Sequence, residues 1–415
     1  PRAGGARPPG KGKAAGGKAA RKAPLGAADA NAPGGVGAPP GKRVEDVYQK
    51  LSQLEHILLR PDTYIGSVEK QIQVAWVLQD GGGEDAPVRM EQREVAFVPG
   101  LYKIFDEILV NACDHKVRDP KMDQLRVDID PASSAIRVYN NGRGIPVQMH
   151  EVEGVYVPEL IFGHLLTSSN YNDDEKKLTG GRNGYGAKLA NVFSTEFVVE
   201  TCDGGGSGRR YRQTFRNNMQ DKDTPEISKC KASENWTCIT FKPDLEKFGM
   251  ESLEEDTVAL MKRRVYDAAG CTGGLKVFLN GEKLPIAKFE DYVNLYLGKP
   301  KDEGALPRVF DKTDRWQVCV SVSQGQFQQV SFVNSINTMK GGTHVNGVAD
   351  QISKELLATK ALKGHKSLKA FQVKNHLWVF VNSLIENPAF DSQTKETLTL
   401  KASSFGSKWT ASPDF

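Results

Sequence analysis

The chain has 415 residues, 39% of them apolar with 18 Phe and 5 Trp, which is enough material for two or three domains with sizeable cores. No run of about 18 apolar residues occurs, which excludes a membrane-spanning helix. The six cysteines are scattered without a C-x-x-C pair or a zinc-like Cys/His cluster, so we expect reduced, intracellular thiols.

The net charge of +4 is distributed unevenly along the chain. Residues 1–43 carry nine Lys and Arg against Asp29 alone, a net charge of +8, which leaves −4 for the remainder. A segment of Gly, Ala, Pro, Lys and Arg cannot bury enough apolar surface to fold, so we predict a disordered basic tail. Such a tail is either simply solvated, or it touches DNA or serves as a nuclear address. The chain starts with Pro rather than Met and without a signal-peptide pattern, so we expect an artificial or processed first boundary.

Hydrophobic spacing predicts the elements that follow. Apolar residues from Val47 to Leu58 have helical spacing, and Arg60-Pro61-Asp62 ends that helix. A strand is predicted at 94–98 and a helix at 99–118. Alternation predicts a hairpin of strands at 125–130 and 135–139. Further strands are predicted at 195–201, 209–216, 237–242 and 275–279, with a tight turn at Asn280-Gly281.

A second unit is predicted to start near residue 285. Its predicted elements are strands near 316–322 and 328–334, a helix across 345–358, and a buried strand at 376–382.

The helix predicted at 99–118 carries a polar stripe beside its apolar face. Glu107, Asn111, Asp114 and Arg118 follow one another at spacings of four, three and four residues, which places them on one side. A polar stripe is commonly just the solvated face of a helix. The functional alternative is a pair in which the Glu107 carboxylate deprotonates a water and the Asn111 oxygen binds Mg²⁺.

Two polar loops follow this helix. Asn140-Asn141-Gly142-Arg143-Gly144 leaves a strand, and it is either an ordinary loop or a base-binding corner, since an Asn amide matches the adenine amino edge. The stretch Thr167-Ser168-Ser169-Asn170 suits ribose or phosphate contacts. The preceding His164 is better explained as a packed or capping histidine than as a catalyst.

The segment GGRNGYGAKLAN at 180–191 has four glycines in seven residues before a predicted helix start. Glycine lets a backbone approach a ligand closely, and the N–H groups at a helix start suit phosphate. Lys188 adds a full positive charge. The chain has no G-x-x-x-x-G-K-[ST], so this segment is not a Walker A loop. It is either a phosphate-binding lid or an ordinary Gly-rich loop without a ligand.

The order of these pieces resembles the Bergerat (GHKL) ATP-binding fold, shared by type II topoisomerases, Hsp90 chaperones, MutL repair proteins and sensor histidine kinases. The exact sequences of the motifs narrow the resemblance to the eukaryotic type IIA DNA topoisomerase family, over about residues 44–406. Its motifs are LEHILLRPDTYIGS at 54–67, FDEILVNACDH, NNGRGIPV, LTSSNYNDDEKKLTGGRNGYGAKLAN and IENPAFDSQTKETLTL.

This resemblance implies an α+β chain in four parts. A Bergerat α/β sandwich with a mixed, mainly antiparallel sheet would be followed by a ribosomal-protein-like α/β transducer domain. The expected parts are a disordered tail at 1–43, an N-terminal arm at 44–67, the ATP-binding domain at 68–284 and the transducer domain at 285–415.

The resemblance also implies roles in an ATP and Mg²⁺ site. Glu107 would be the general base, Asn111 would hold Mg²⁺ and Asn140 would contact adenine. Three residues would line the ribose and phosphates: Ser168, Ser169 and Asn170. The lid would wrap the triphosphate through Gly181, Arg182, Asn183, Gly184, Tyr185, Gly186, Ala187 and Lys188.

Further implied roles lie outside the ATP-binding domain. The loop Gln393-Thr394-Lys395 would otherwise be an exposed polar turn, but in similar proteins it reaches the γ-phosphate, so Lys395 would sense ATP. The arm would cross to a second subunit, with Tyr48 capping the partner's nucleotide, so ATP would drive homodimerisation and close an entrance gate.

The resemblance implies double-stranded DNA as a partner and the nucleus as the location. Lys360, Lys363, Lys366 and Lys369 form either a solvated basic face or a sequence-independent phosphate contact. The interspersed Thr359, Ala361 and Leu362 make this cluster sparser than in similar proteins. The family's DNA-cleaving tyrosine is expected beyond residue 415, so this piece would hydrolyse ATP and dimerise without cutting DNA.

Three other functions are compatible with an ATP pocket of this kind. A chaperone or repair ATPase shares the pocket but is not expected to combine GGRNGYGAKLAN with SSNYNDDEKK. A sensor kinase needs an upstream phospho-accepting His, and residues 1–43 contain none. An ATP-binding clamp without turnover is disfavoured by Glu107.

Overall fold

A computed structural model describes residues 50–79, 88–167, 176–181, 184–412 and 414–415. Residues Ser52–Phe415 form one compact unit. The predicted tail and the first part of the predicted arm, Tyr48 included, lie outside the described residues. Among the described residues, no helix has the length and apolar character needed to cross a membrane.

The compact unit begins with two short helices, α1 (Gln53–Leu59) and α2 (Asp62–Ile65). Ser52 caps α1: its hydroxyl accepts the Glu55 N–H at 3.2 Å, and the Glu55 carboxylate accepts the Ser52 N–H at 2.7 Å. Pro61 separates the two helices, as the sequence predicts. Strands β1 (Gln71–Leu78) and β2 (Met90–Phe97) then pair antiparallel in a sheet of their own.

The central element is the 20-residue helix α3 (Pro99–Arg118), which starts at the predicted residue because Pro99 occupies the first turn. It packs on a large sheet. The strands of this sheet are β3 (Gln124–Asp130), β4 (Ala135–Asn140), β5 (Ser194–Asp203), β6 (Arg209–Arg216), β7 (Asp221–Lys222), β8 (Glu226–Lys229), β9 (Asn235–Pro243), β10 (Lys276–Leu279) and β11 (Glu282–Lys283). Along the sheet their order is β11-β10-β3-β4-β9-β5-β6-β7, with β8 also paired to β6.

The pairing in this sheet is antiparallel except between β10 and β3, which run parallel. The mixed, mainly antiparallel sheet is therefore confirmed. Its helices are α3, α4 (Val157–Gly163), α5 (Gly186–Val192) and α6 (Glu255–Cys271). Helix α6 packs against α3 and also against β1 and β2. It is followed by α7 (Phe289–Leu297), which packs on α6.

The second sheet consists of β12 (Arg308–Lys312), β13 (Trp316–Val322), β14 (Gln328–Val333), β15 (Ile336–Asn337) and β16 (Leu377–Ser383). Their order across the sheet is β12-β13-β16-β14-β15. Strands β14 and β16 are parallel and are joined through helices α8 (Thr343–Ala358) and α9 (Ala370–Lys374).

Strand β16 explains how the two sheets share their interior. All seven of its residues are buried. Alternate side chains point to opposite faces of a strand, so Trp378 and Phe380 join the core of the first sheet while Val379 and Val381 join the core of the second. The continuous apolar run that predicted a buried strand reflects this two-sided burial.

The predicted helix at 99–118 and the predicted strands of both units are confirmed, with shifts of a few residues at their ends. Several elements had not been predicted, among them β1, α6, α7 and β12. The domain boundary at residue 285 stays a prediction.

One glycine in the loop after β4 is required by close backbone contact. A Cβ added at Gly144 would lie 1.9 Å from the carbonyl oxygen of Cys202 in β5, and backbone atoms cannot yield as a flexible side chain does. The loop also depends on Thr201, whose hydroxyl accepts the Ile145 N–H at 2.9 Å. The Asn140–Gly144 loop is thus held against the middle of the sheet.

We expect Gly144→Ala to lower the free energy of unfolding by about 1–3 kcal/mol, because the new methyl group overlaps the β5 backbone. Gly347→Ala is the matched control. Gly347 lies in α8 with open space around it, so alanine there should gain about 0.5–1 kcal/mol from helix propensity. Urea unfolding followed by circular dichroism measures both, and equal midpoints for the two variants would contradict the close-contact argument.

Candidate functional site

A cavity of about 550 Å³ opens between α3, α4, α5 and strands β4 and β9. Most of the described residues of the predicted pocket line it. They are Glu107, Asn111, Asn140, Gly181, Gly184, Tyr185, Gly186, Ala187, Lys188, Gln393 and Lys395. Apolar walls come from Ile108, Ala112, Val138, Ile145, Leu160, Ile161, Phe162 and Ile239. This mixture of apolar walls and a few converging polar groups is typical of a small-molecule site.

The polar stripe of α3 faces inward rather than toward solvent. Glu107 and Asp114 are only 3% and 2% exposed, and Asn111 is half-buried at the cavity wall. Arg118 is exposed at the end of the stripe, where it also lines the cavity. The solvated-face alternative is therefore wrong for the first three of these residues.

Glu107 is neutralised by two lysines from different parts of the chain. Its Oε1 lies 2.7 Å from Lys103 Nζ, one helical turn earlier, and 3.2 Å from Lys395 Nζ. Burial by itself would raise the pKa of Glu107, but the two ammonium groups outweigh burial and lower the pKa to about 2. Glu107 is therefore a carboxylate at neutral pH.

The glycine-rich segment approaches α3 at two points. Gly180 and Gly181 donate their N–H groups to the two oxygens of Asp114 at 2.7 and 2.8 Å. A Cβ added at Gly186 would lie 2.0 Å from Glu107 Oε2. Although both N–H groups favour the ionised form, burial raises the pKa of Asp114 to about 6. Asp114, a stripe residue that does not itself line the cavity, thus anchors the start of the lid.

Lys188 lies on α5 and is only 3% exposed. Its Nζ donates to the Thr167 carbonyl at 2.5 Å, and no carboxylate of the described residues pairs with it. Burial lowers the pKa of Lys188 to about 8. A buried cation on a cavity wall that lacks a carboxylate partner favours an anionic ligand.

The loop after β4 is ordered by its own side chains. Asn140 is buried, and its Oδ1 accepts the Gly142 N–H at 3.2 Å. Asn141 turns away and binds the N–H groups of Asp123 and Gln124. Asn140 alone of the two asparagines lines the cavity.

Several polar residues of the site were not predicted from the sequence, among them Lys103 and Thr237. Lys103 could have been found from its i,i+4 spacing to Glu107. Thr237 on β9 lines the cavity, and its hydroxyl shares a 3.0 Å hydrogen bond with Thr201. Nothing in the local sequence around Thr237 indicates this, because the pairing of β9 with β5 creates it.

The loop containing Gln393, Thr394 and Lys395 leaves the second sheet and reaches the cavity of the first. Lys395 is 6% exposed and has φ +61°, a conformation uncommon for non-glycine residues. Gln393 lines the cavity, whereas Thr394 does not and instead packs its methyl group near Gly66. The exposed-turn alternative for this loop is therefore wrong.

The N-terminal helix α1 also reaches the lid. Gln53 Nε2 donates to the Tyr185 hydroxyl at 2.7 Å, and the Tyr185 ring lies 6.2 Å from that of Tyr64. Tyr185 lines the cavity, so the arm and the lid meet at its rim.

Several predicted residues are not tested by this geometry. Ser168, Ser169, Asn170, Arg182, Asn183 and Tyr48 lie outside the described residues. Lys360, Lys363, Lys366 and Lys369 are exposed in the segment between α8 and α9 and do not line the cavity.

Two family models match the chain in separate regions. Residues 98–247 match the histidine kinase-, DNA gyrase B- and HSP90-like ATPase model, and residues 288–411 match the DNA gyrase B model. Among curated proteins, DNA topoisomerase 2 of Arabidopsis thaliana is 61% identical over 90% of the chain. DNA topoisomerase 2-alpha of Homo sapiens is 57% identical over 90%. The chain spans only 25% and 24% of these two relatives.

Two solved structures share the fold of this chain and cover nearly the same length of sequence. The ATPase region of Saccharomyces cerevisiae topoisomerase II superposes with a TM-score of 0.83 at 50% identity, covering 90% of this chain and 95% of that one. The ATPase and transducer domains of DNA topoisomerase II from Balamuthia mandrillaris give 0.84 at 50% identity, covering 90% and 94%. The GHKL fold is confirmed, and the chain belongs to the eukaryotic type IIA DNA topoisomerase family, as its ATP-hydrolysing region.

Proposed function

We propose that this chain is the nucleotide-driven gate of a DNA topoisomerase II, in which ATP bound in the 550 Å³ cavity closes the gate during strand passage. The observation that carries the proposal is the ion pair between Lys395 and Glu107. It joins the loop of the second sheet to the carboxylate best placed to activate water. A ligand that competes for Lys395 therefore affects the loop of the second sheet and the Glu107 carboxylate at once.

We assign each part of ATP to a different group of residues at this cavity. The adenine lies at Asn140 and Thr237, where amide and hydroxyl groups accompany the apolar wall. Ser168, Ser169 and Asn170, which lie outside the described residues, are the proposed contacts of the ribose and phosphates. The triphosphate is proposed to bind at Gly181 and residues 184–188, where Lys188 supplies positive charge without a carboxylate partner among the described residues.

Mg²⁺ fits this set of donors. Among the described residues there is no group of three His, Cys, Asp or Glu that could hold a metal ion alone. Asn111 offers one hard oxygen beside Gly181 on the cavity wall. Mg²⁺ commonly takes one or two protein oxygens together with phosphate oxygens and water, so Asn111 is the proposed protein ligand. The ion would supply charge neutralisation at the phosphates.

The proposed hydrolysis depends on moving Lys395. With Lys395 on Glu107 the carboxylate is a weak base, since its pKa is about 2. When Lys395 pairs with the γ-phosphate of ATP, Glu107 loses one of its two cations and becomes more basic. Glu107 then accepts a proton from water while the water oxygen attacks the γ-phosphorus, and the bond to ADP breaks. Lys103 stays on Glu107 and holds it in position.

We expect Glu107→Gln to lower kcat for ATP hydrolysis by about 10²- to 10⁴-fold, since the amide cannot accept the proton. Glu159→Gln is the matched control, because Glu159 is also buried and pairs with a lysine at 2.6 Å but does not line the cavity. A coupled ATPase assay measures both variants. Hydrolysis by Glu107→Gln at the rate of the unmodified chain would sink the general-base assignment.

We expect Lys395→Ala to lower kcat about 10²-fold while ADP affinity stays nearly unchanged, because ADP lacks the phosphate that the lysine contacts. Lys340→Ala removes an exposed lysine that pairs with Glu396 in the same region and serves as control. Calorimetric titration with ADP and steady-state ATPase give the two quantities. A large loss of ADP affinity in Lys395→Ala would count against a γ-phosphate sensor.

The proposed gate also dimerises. The arm carrying Tyr48 crosses to the second subunit and caps its nucleotide, and the contact of Gln53 with Tyr185 would transmit the state of the lid to that arm. Sedimentation velocity should show monomers without nucleotide or with ADP, and dimers with a non-hydrolysable ATP analogue. Monomers that persist with the analogue would overturn arm exchange.

Double-stranded DNA is the proposed macromolecular partner in the nucleus. Lys360, Lys363 and Lys366 are all exposed within one short segment of the second sheet's domain. Among the described residues no acidic side chain pairs with them. Lysines of this kind contact phosphates, so the contact is independent of sequence and weakens with salt.

A further inference from the structure

The turn between β14 and β15 is buried, which is unusual for a connection between strands. Asn334 and Ser335 form this turn with φ of +49° and +63°, and they are only 2% and 6% exposed. A two-residue turn with both φ positive is the type I′ geometry of tight hairpins. The turn belongs to the second sheet, yet it contacts two parts of the ATP-binding domain.

Its first contact is with the start of the lid. Asn334 Nδ2 donates to the Thr179 carbonyl at 3.3 Å and to the Ile385 carbonyl at 2.9 Å, while its Oδ1 accepts the Ile385 N–H at 2.8 Å. A Cβ added at Gly180 would lie 3.0 Å from the Asn334 carbonyl oxygen. Thr179 immediately precedes Gly180, whose N–H Asp114 binds from the other side. The turn therefore fixes one end of the lid.

Its second contact is with α6. Arg264 is fully buried, and its Nη2 donates to the Ser335 carbonyl at 2.6 Å. The same guanidinium donates from Nε to Asp106 Oδ1 on α3 at 2.7 Å. One planar group therefore joins the turn of the second sheet to the helix that carries Glu107.

Asp106 connects this contact to the proposed general base. Lys103 Nζ lies between two carboxylates, 2.7 Å from Glu107 Oε1 and 3.8 Å from Asp106 Oδ2. All three side chains are less than a tenth exposed, so solvent cannot compensate a change in their charges. While Arg264 neutralises Asp106, Lys103 stays with Glu107. Without Arg264, Asp106 would compete for Lys103.

We propose that Arg264 and Asn334 are positioning residues through which the second sheet controls both ends of the nucleotide site, independently of Lys395. Arg264 acts through Asp106 and Lys103 on the carboxylate of Glu107. Asn334 acts through Thr179 and Gly180 on the lid. The proposal rests on the proposed role of Glu107 as the base. The two residues contact opposite ends of the site, so their kinetic effects should separate.

The first test is Arg264→Lys, which keeps the charge but cannot reach Asp106 and Ser335 together through a rigid fork. We expect kcat to fall about tenfold with KM for ATP unchanged, as for loss of an interaction that matters in the transition state. Arg263→Lys is the matched control. Arg263 is the neighbouring buried arginine, and it pairs with Asp267 rather than with Asp106. It should lose similar thermal stability without this fall in kcat.

The second test is Asn334→Gly, which retains the positive φ while removing the amide that binds Thr179. We expect KM for ATP to rise about tenfold with kcat nearly unchanged, because the lid is less well ordered around the bound nucleotide. Ser335→Gly is the matched control. It makes the same change at the next position of the turn and leaves the carbonyl that Arg264 binds in place.

If Arg264→Lys lowers kcat no more than Arg263→Lys does, or Asn334→Gly changes KM no more than Ser335→Gly does, the positioning roles are wrong. If Arg264→Lys and Asn334→Gly show the same split between kcat and KM, separate action on base and lid is overturned. If Glu107→Gln is fully active, the base assignment fails instead, whatever the Arg264 variants do.

Discussion

The buried carboxylate of Glu107 needs positive charge close to it, and the rest of the structure depends on how that charge is supplied. Removing an ionised group from water costs several kcal/mol, roughly, unless cations and hydrogen bonds replace the lost hydration. Lys103 supplies one cation from the same helix, and Lys395 supplies the other from a loop of the second sheet. The chain must therefore fold with that loop inserted in the cavity. Because Lys395 comes from the second sheet, its movement from Glu107 to a phosphate would link the chemistry in the cavity to the position of that sheet.

The lid must also lie close to α3. Its backbone N–H groups can be held by α3 only at short distance, and side chains on the lid residues would keep the two backbones apart. Gly180 and Gly181 reach Asp114, and Gly186 lies against Glu107 where a methyl group would overlap the carboxylate. The same stripe of α3 therefore holds the lid with one carboxylate and activates water, as we propose, with another. The spacing of seven residues, about two turns, keeps the two carboxylates on one side.

Much of this arrangement could be predicted because its signals are local. Helical periodicity located α3, and its polar stripe contained Glu107, Asn111 and Asp114 in the right order. The glycine spacing located the lid, and family wording identified Lys395. Helix α6 was missed because Arg263, Arg264 and Asp267 are buried within it, which interrupts the apolar pattern that marks a core-facing helix. Strand β1 was missed although Ile72 and Val74 alternate with glutamines along it, and both of these apolar side chains are mostly exposed.

Other contributors had no local signal at all. Thr237 lines the cavity because β9 pairs with β5, and Asn334 meets Thr179 across 155 residues of sequence. Contacts of this kind arise from topology, and neither composition nor spacing contains them. The roles of Ser168, Ser169, Asn170, Arg182, Asn183 and Tyr48 stay predictions.

The two-sided burial of β16 has a consequence for how the chain unfolds. Trp378 stacks on Trp76 at 5.3 Å between ring centroids and packs against Tyr296, so the interior of the first sheet is completed by a strand of the second. Neither sheet can lose its structure while the other keeps a closed core. A fragment restricted to residues 68–284 would expose the aromatic surface that β16 covers and would tend to aggregate. We therefore expect the two sheets to unfold together as a single cooperative unit.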